Sequence, residues 1–466
     1  KCKNIFFFSA ILISNPCLFL VKYIYKINLI KMLFHSSQYL IYFLPIVFFL
    51  YYFKFNNFQF PKILTLSLAS IVFYSSWNIF FLPLILFIIF SNYFFYKLLI
   101  KKKNVLAYLI SFNILILIIF KYTDFLILNI NLIFNANLEL LELPFPLALS
   151  FVTFQVIAFL IDSYDENIKK IEFKKFFLFI IFFPQLIAGP IVRYNHIVPQ
   201  YTHENSSKIN LNNISIGLIL ILIGFLKKIL IADNLGHFVD IGYESPASLN
   251  ILESWLISIS FTFQIYFDFT GYVDMATGSA MLFNIRLPQN FNSPFKASSL
   301  INFWQRWHMT LTSFLTNYIF NPCVKALREI TFLKMMLIII MVFIICGFWH
   351  GPSWMYGFFG LLHGLGLVVN HIFNKLFNFK LPKLFSWFLT FTYVNLTFIF
   401  FRTQNFNDSI LVIAKMFGLN KLGEGIFLME DFYILISLII GCFVINSLFK
   451  NSYELFSKYL YFKEGS

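Results

Sequence analysis

The sequence of 466 residues is 59% hydrophobic and 12% charged, with a mean hydropathy of +0.77 and a formal net charge of +14. This composition excludes a soluble globular domain and is typical of a polytopic membrane protein. The lysines fall in breaks between apolar runs and not on one basic surface, so the positive charge indicates basic cytoplasmic loops and no nucleic-acid partner.

Apolar runs alternate with short polar breaks from Met32 to the end of the chain, without a linker or an internal repeat. We therefore expect one all-α membrane domain over 32–466, with about 11 to 12 spanning or re-entrant helices. Several runs are too short for a perpendicular crossing, so some should be packed inside protein. The expected spans are 38–53, 63–74, 79–96, 105–120, 145–161, 176–187, 214–231, 251–267, 333–348, 355–372, 384–401 and 432–449.

The central third of the chain carries more polar side chains than lipid-facing helices tolerate. Asp268 and Asp274 stand in the otherwise apolar stretch YFDFTGYVDMA. Paired carboxylates can bind a metal or exchange protons, but no histidine is near them in sequence, and the five cysteines have no metal-ligand spacing. We expect these carboxylates to pair with Arg193, Arg286 or Arg306, and we expect no metal site.

The segment 302–317 predicts one continuous amphipathic helix. On a helical wheel, a polar stripe that includes Thr310 and Ser313 lies opposite Trp304 and Trp307, and His308 is off the stripe. We therefore expect His308 to point into the protein while Thr310 and Ser313 face water.

His350 ends the strongly apolar run that begins near Leu333. An ionisable ring at such a place is a candidate functional residue, and the alternative is a structural histidine bonded to a neighbouring carbonyl. After His350, Gly357, Gly360 and Gly364 recur at helical spacing, which predicts a tightly packed helix interface. His363 lies beside that interface, where packing or a supporting hydrogen bond is a better expectation than catalysis.

Seven motifs resemble, in order, those of the membrane-bound O-acyltransferase family, in its bacterial alginate and peptidoglycan O-acetylation branch. They are FPLALSFVTFQVIAFLIDSY from Phe145, FFPQLIAGPIVRY from Phe182, KKILIADNL from Lys227, FQIYFDFTGYVDMATG from Phe263, PQNFNSPF from Pro288, WQRWHMTLT from Trp304, and GFWHGPSW from Gly347 followed by GLLHG.

The resemblance implies a helical fold around a central polar funnel in the bacterial inner membrane. It also implies acetyl-CoA as the cytoplasmic donor, an extracytoplasmic polysaccharide such as alginate or peptidoglycan as the acceptor, and a periplasmic partner acyltransferase. By motif, His350 corresponds to the family's catalytic histidine and His308 to the histidine that lies beside it. No G-x-S-x-G motif is present, so direct attack assisted by His350 is expected, with His308 polarising the thioester carbonyl or orienting the acceptor.

Two alternatives remain open from the sequence. An enzyme of the same fold could transfer D-alanine to teichoic acid, and a transporter could use the buried polar residues as a substrate path. The stretch from Met32 resembles the family's usual start, so residues 1–31 lie outside the family pattern. We expect them to be upstream sequence or the result of a mis-set start, and a signal peptide is the alternative, since the stretch from Ile5 to Val21 is apolar.

Overall fold

The computed structural model describes residues 32–55, 58–166, 171–187, 189–201, 208–377, 379, 381–421 and 423–460. The expectation for residues 1–31 therefore lies outside the described residues. The described part is helical except for two strands of two residues, β1 (Lys54–Phe55) and β2 (Phe58–Gln59), which pair antiparallel. This confirms the predicted all-α class.

Most helices follow one another with short connections, but longer segments, 135–148 and 282–299, precede α6 and α13. Their bounds are α1 (Gln38–Tyr52, with a π-helical first part), α2 (Lys62–Ser75), α3 (Leu82–Lys101), α4 (Leu106–Lys121), α5 (Thr123–Phe134), α6 (Leu149–Glu166), α7 (Phe173–Ile181), α8 (Phe183–Leu186), α9 (Tyr194–Tyr201), α10 (Leu211–Leu226), α11 (Asp233–Glu244), α12 (Ile251–Met281), α13 (Leu300–Trp304), α14 (Met309–Leu315), α15 (Asn321–Lys325), α16 (Phe332–His350), α17 (Trp354–Leu376), α18 (Lys383–Arg402), α19 (Phe406–Met416), α20 (Met429–Leu448), α21 (Ser452–Leu455) and α22 (Ser457–Leu460). Turns of π-helix, Lys227–Ala232 and Thr316–Phe320, join α10 to α11 and α14 to α15.

Within the described ranges, seven helical stretches are long and apolar enough to span a membrane. They are Ile79–Lys101, Lys103–Lys121, Leu211–Glu244, Phe332–His350, Trp354–Leu376, Lys383–Arg402 and Met429–Leu460. Much of their apolar surface is exposed, as expected for helices that face lipid. The chain is therefore a multi-pass membrane protein. Every predicted span overlaps a helix, but the span 176–187 is divided between α7 and α8, and α12 continues past the predicted end at residue 267 to Met281. The helices that were not predicted are α5, α9, α11, α15, α19, α21 and α22.

The hairpin of α16 and α17 is packed through the predicted glycine interface. A methyl group on Gly360 would overlap the carbonyl oxygen of Phe343, and one on Gly364 would lie 3.0 Å from the Cα of Ile340. Since only glycine fits at this distance, the two backbones approach as closely as helices in a membrane can. The pairing fixes the position of His350 at the end of the hairpin.

The carboxylates of α12 pair with lysines and not with the predicted arginines. Lys227 contacts Asp274 at 2.6 Å, and Lys228 contacts both Asp233 and Asp268 at 2.7 Å. The π-helical turn that carries the two lysines packs against α12, so the pairing follows from helix contacts and not from the sequence pattern. The prediction of Arg193, Arg286 or Arg306 as partners was wrong.

Replacing Gly360 with alanine should lower the apparent melting temperature of the purified protein, because the added methyl group must displace the backbone of Phe343. Overpacking of this kind costs about 1–3 kcal/mol. The matched control is Gly441→Ala in α20, where a Cβ would have no described neighbour within 4 Å. The control should be neutral or slightly stabilising, because alanine favours a helix by about 1 kcal/mol over glycine. Thermal unfolding in detergent compares the two variants, and equal melting temperatures would contradict the packing argument.

Candidate active site

His350 is the last residue of α16, and contacts from α4 hold this end of the helix. The terminal carbonyls of Phe348 and Trp349 accept hydrogen bonds from the Tyr122 hydroxyl, at 2.6 Å, and from the Lys121 ammonium. The half-buried imidazole of His350 lies 5.2 Å from the ring of Phe401. Within the described part of the chain, no residue forms a hydrogen bond with this imidazole, so the alternative of a structural histidine bonded to a carbonyl has no support.

His308 lies at a break in the predicted helix. The chain turns between α13 and α14, and His308 adopts the left-handed conformation with φ of 44°. Its side chain is 1% exposed, which confirms that it points into the protein. Ser313 is exposed as expected, but Thr310 is buried, so the prediction of one continuous helix with a water-facing stripe was wrong at Thr310.

The environment of His308 keeps its imidazole neutral. Burial lowers the pKa of His308, which lies outside the seven candidate spans, so the ring is uncharged at neutral pH. Nδ1 lies 3.1 Å from the side-chain oxygen of Asn290, whereas Nε2 is buried without a hydrogen-bond partner among the described residues. Nδ1 is therefore occupied by a hydrogen bond, whereas Nε2 is free to contact a substrate.

The tertiary structure brings His308 and His350 to one site. Both histidines lie beside Trp349, whose ring centre is 6.2 Å from that of His308 and 4.9 Å from that of His350. The indole Nε1 of Trp349 is also buried without a described partner, as is the side-chain nitrogen of Asn290. Buried polar atoms are rarely left unpaired in proteins, so this cluster is a candidate site for a polar ligand.

His363 differs from both, because each of its nitrogens has a partner. Nδ1 accepts a hydrogen bond from the Trp304 indole at 3.2 Å. Nε2 must then carry the proton and donate it to the Thr397 hydroxyl at 2.9 Å, which donates to the carbonyl of Val394 at 2.8 Å. This arrangement fits the predicted supporting role, since Trp304 belongs to the helix that precedes His308.

A large polar cavity opens beside the turn that carries His308. Its volume is about 890 Å³, and its walls include Thr310, Ser313, Arg193, His196 and Arg286. The Arg193 guanidinium lies 5.3 Å from the centre of the Tyr318 ring, and no described residue bonds to the side chain of Arg286. The cavity is thus lined by cationic groups that suit an anionic ligand.

The cavity and His350 lie toward opposite ends of the helices. At one end, Lys121, the last residue of α4, contacts Ser150 at the start of α6. The same lysine contacts the carbonyl of Trp349 in the last turn of α16. At the other end, Lys103 donates to the carbonyl of Tyr164 in α6, and Lys375 lies over Phe332 at the start of α16. A cavity wall residue, Tyr318, bonds to Asp162 near this second, basic end.

Among the described residues, no three histidine, cysteine or acidic side chains lie close enough together to bind a metal ion. Sequence reasoning missed Lys121, the polar contacts of Asn290 and the cavity position of Arg286. Asn290 lies within the motif PQNFNSPF, but no periodicity distinguishes it from its neighbours.

The fold is that of a multi-pass membrane protein, and it brings His308 and His350 to the same tryptophan, Trp349. The model of the membrane-bound O-acyltransferase family matches residues 66–405, so the chain belongs to that family and is an acyltransferase. It is 40% identical to the peptidoglycan O-acetyltransferase of Helicobacter pylori over 429 residues, which cover 84% of this chain and 80% of that protein.

Two further groups of relatives are more distant. The probable alginate O-acetylase AlgI of Azotobacter vinelandii is 29% identical over 401 residues, covering 83% of this chain and 78% of that protein. The teichoic acid D-alanyltransferase of Bacillus subtilis is 27% identical over 235 residues, covering 49% of this chain and 60% of that protein.

Replacing Thr397 with valine should destabilise the protein, because the Nε2–H of His363 would lose its buried acceptor. An unpaired buried donor costs about 1–3 kcal/mol. Thr390→Val on the same helix is the matched control, because that hydroxyl only bonds back to the carbonyl of Ser386. Thermal unfolding in detergent should separate the two variants, and an equal effect would show that the His363 contact contributes little.

Proposed function

We propose that this chain takes acetyl groups from cytoplasmic acetyl-CoA and passes them across the bacterial inner membrane for O-acetylation of an extracytoplasmic polysaccharide. The observation that carries the proposal is the pair His308 and His350, which have Trp349 as a common neighbour, with a cationic cavity beside the turn that carries His308. Tyr318 in the wall of this cavity bonds to Asp162 near the basic end of the helices. Basic loops are retained in the cytoplasm, so the cavity would receive a donor from that side. His350 lies toward the other end, where an acceptor would arrive.

In this mechanism His350 acts as the general base. Its imidazole removes the proton from the attacking hydroxyl, the hydroxyl oxygen bonds to the thioester carbon, and the coenzyme A thiolate leaves and takes up a proton. Arg193 and Arg286 would bind the phosphates of the donor, because guanidinium groups form strong hydrogen bonds to phosphate. His308 would polarise the thioester carbonyl or orient the acceptor.

Similarity to relatives favours peptidoglycan as the acceptor. The peptidoglycan O-acetyltransferase is 40% identical over most of both chains, whereas the alginate relative is 29% identical over a similar length. We therefore place peptidoglycan before alginate, and a periplasmic acyltransferase would complete the delivery. D-alanyl transfer to teichoic acid is the weaker alternative, since the match to that enzyme covers 49% of this chain.

Replacing His350 with alanine should abolish acetyl transfer without loss of protein, because the ring makes no described hydrogen bond that folding needs. A general base contributes about 10²- to 10⁴-fold to the rate. His308→Ala should also reduce transfer severely. The measurement is acetate released by mild alkali from the envelope polysaccharide of cells that carry each variant, with the protein quantified in the membrane fraction.

The matched control is His371→Ala, since His371 lies at the far end of α17 and has no described polar partner. Its acetylation should equal that of the unaltered protein. Near-normal acetylation in His350→Ala at normal abundance would exclude the mechanism and favour the transporter alternative. Labelling by D-alanine in place of acetate would favour the teichoic acid alternative.

Replacing Arg286 with alanine should weaken donor binding more than it slows the reaction. Losing one charge-assisted hydrogen bond costs about 1.5–3 kcal/mol, so the KM for acetyl-CoA should rise about tenfold or more with a smaller change in kcat. The assay uses inside-out membrane vesicles and radiolabelled acetyl-CoA. Arg328→Ala is the control, because Arg328 is exposed and outside the cavity. An unchanged KM in Arg286→Ala would show that the donor does not use this cavity wall.

A further inference from the structure

The segment Pro288–Phe295 is bound around the turn that carries His308. The carbonyl of Asn290 accepts a hydrogen bond from the backbone N–H of Met309 at 2.8 Å. Two residues on, the backbone N–H of Asn292 donates to the carbonyl of Arg306 at 2.9 Å, and the Arg306 guanidinium donates to the carbonyl of Asn292 at 3.1 Å. These contacts place the buried side chain of Asn290 directly against the His308 imidazole.

Thr310 determines which way the amide of Asn290 points. The Thr310 hydroxyl accepts a hydrogen bond from the backbone N–H of Ile191 at 3.1 Å, so its own proton is available for Asn290, 2.8 Å away. The backbone N–H of Thr310 also points at the same Asn290 atom, at 3.3 Å. Two donors facing one atom require that atom to be the amide oxygen, because an NH₂ group there would leave donors opposed to donors.

The orientation of this amide sets the tautomer of His308. An amide oxygen can only accept, so the Nδ1 of His308, 3.1 Å away, must carry the proton. A neutral imidazole has one proton, which leaves Nε2 with its lone pair. Nε2 is the nitrogen that is buried without a described partner.

We infer that Asn290 is a positioning residue that holds His308 in the Nδ1–H tautomer and thereby directs the Nε2 lone pair toward the reacting groups. The inference rests on the proposed function for its catalytic part. A lone pair cannot polarise a carbonyl, which needs a donor, but it can accept the hydrogen bond of a hydroxyl. Of the two roles open to His308, the structure thus favours orienting the acceptor.

Nitrogen-15 NMR of protein labelled in histidine tests the tautomer without any assay of activity, because protonated and unprotonated ring nitrogens have different shifts. The His308 signal is identified by its absence in His308→Gln. It should show a proton on Nδ1, whereas His363 should show the opposite tautomer, since its Nδ1 accepts from Trp304. A proton on Nε2 of His308 in the unaltered protein would overturn the inference.

The variants Asn290→Asp and Asn290→Leu test whether the tautomer of His308 affects acetyl transfer. A carboxylate also only accepts, so Asn290→Asp should keep the Nδ1–H signal and retain acetyl transfer within about threefold. Asn290→Leu has a similar volume but no acceptor, so the Nδ1–H signal should disappear and kcat should fall about 10- to 10³-fold with little change in KM, since an incorrect tautomer disables a histidine. Full turnover in the leucine variant, or an aspartate variant as slow as the leucine variant, would contradict a positioning role.

A second pair of variants, at Thr310, tests the same role if the substitutions at Asn290 cause misfolding. Thr310→Val removes the hydroxyl that orients the amide, and Thr310→Ser retains it. The valine variant should lower kcat and mix the tautomers of His308, whereas the serine variant should keep the Nδ1–H tautomer and lower kcat less than the valine variant does. Equal spectra and rates for the pair would overturn the role given to Thr310. If the unaltered protein transferred no acetyl group, the proposed function would fail, and the NMR spectra alone would decide whether Asn290 orients His308.

Discussion

Polar groups buried among membrane helices must find their hydrogen-bond partners inside the protein, and the arrangement of this molecule depends on that constraint. Lys415, although buried, donates to the carbonyls of Ala247 and Leu249, and Asn92 exchanges two hydrogen bonds with Asn113. His363 satisfies both nitrogens through Trp304 and Thr397. Nε2 of His308 is one of the buried polar atoms that have no described partner, and it lies beside Trp349 in the proposed site.

Close helix packing supplies the second requirement, which is a rigid frame for the histidines. The glycines of α16 and α17 allow the two helices to pair closely, so His350 is held at the end of the hairpin. Tyr122 and Lys121 then bind the last carbonyls of α16. A positively charged side chain is favourable at this place, because the carbonyl end of a helix carries partial negative charge. The reactive imidazole is therefore positioned through its backbone, while its ring remains available.

The two histidines differ in how they are prepared for reaction. His308 is buried, is oriented by Asn290 and presents one lone pair, whereas His350 is half-buried and is bounded by aromatic rings. A cationic cavity on one side of this pair and the end of the α16–α17 hairpin on the other fit a reaction whose two substrates arrive from opposite faces of a membrane.

The sequence by itself determined the membrane class, the long apolar helices and the glycine interface, and it singled out His308 and His350 as candidates, because apolar run lengths, small-residue spacing and family motifs are local properties. Tertiary structure decided what depends on distant contacts. The break at His308 escaped the helical wheel because the backbone there is held by Asn290, which is remote in sequence. The partners of Asp268 and Asp274 were lysines because a π-helical turn packs against α12. The free lone pair of His308 likewise follows from the orientation of one amide, which no sequence pattern encodes.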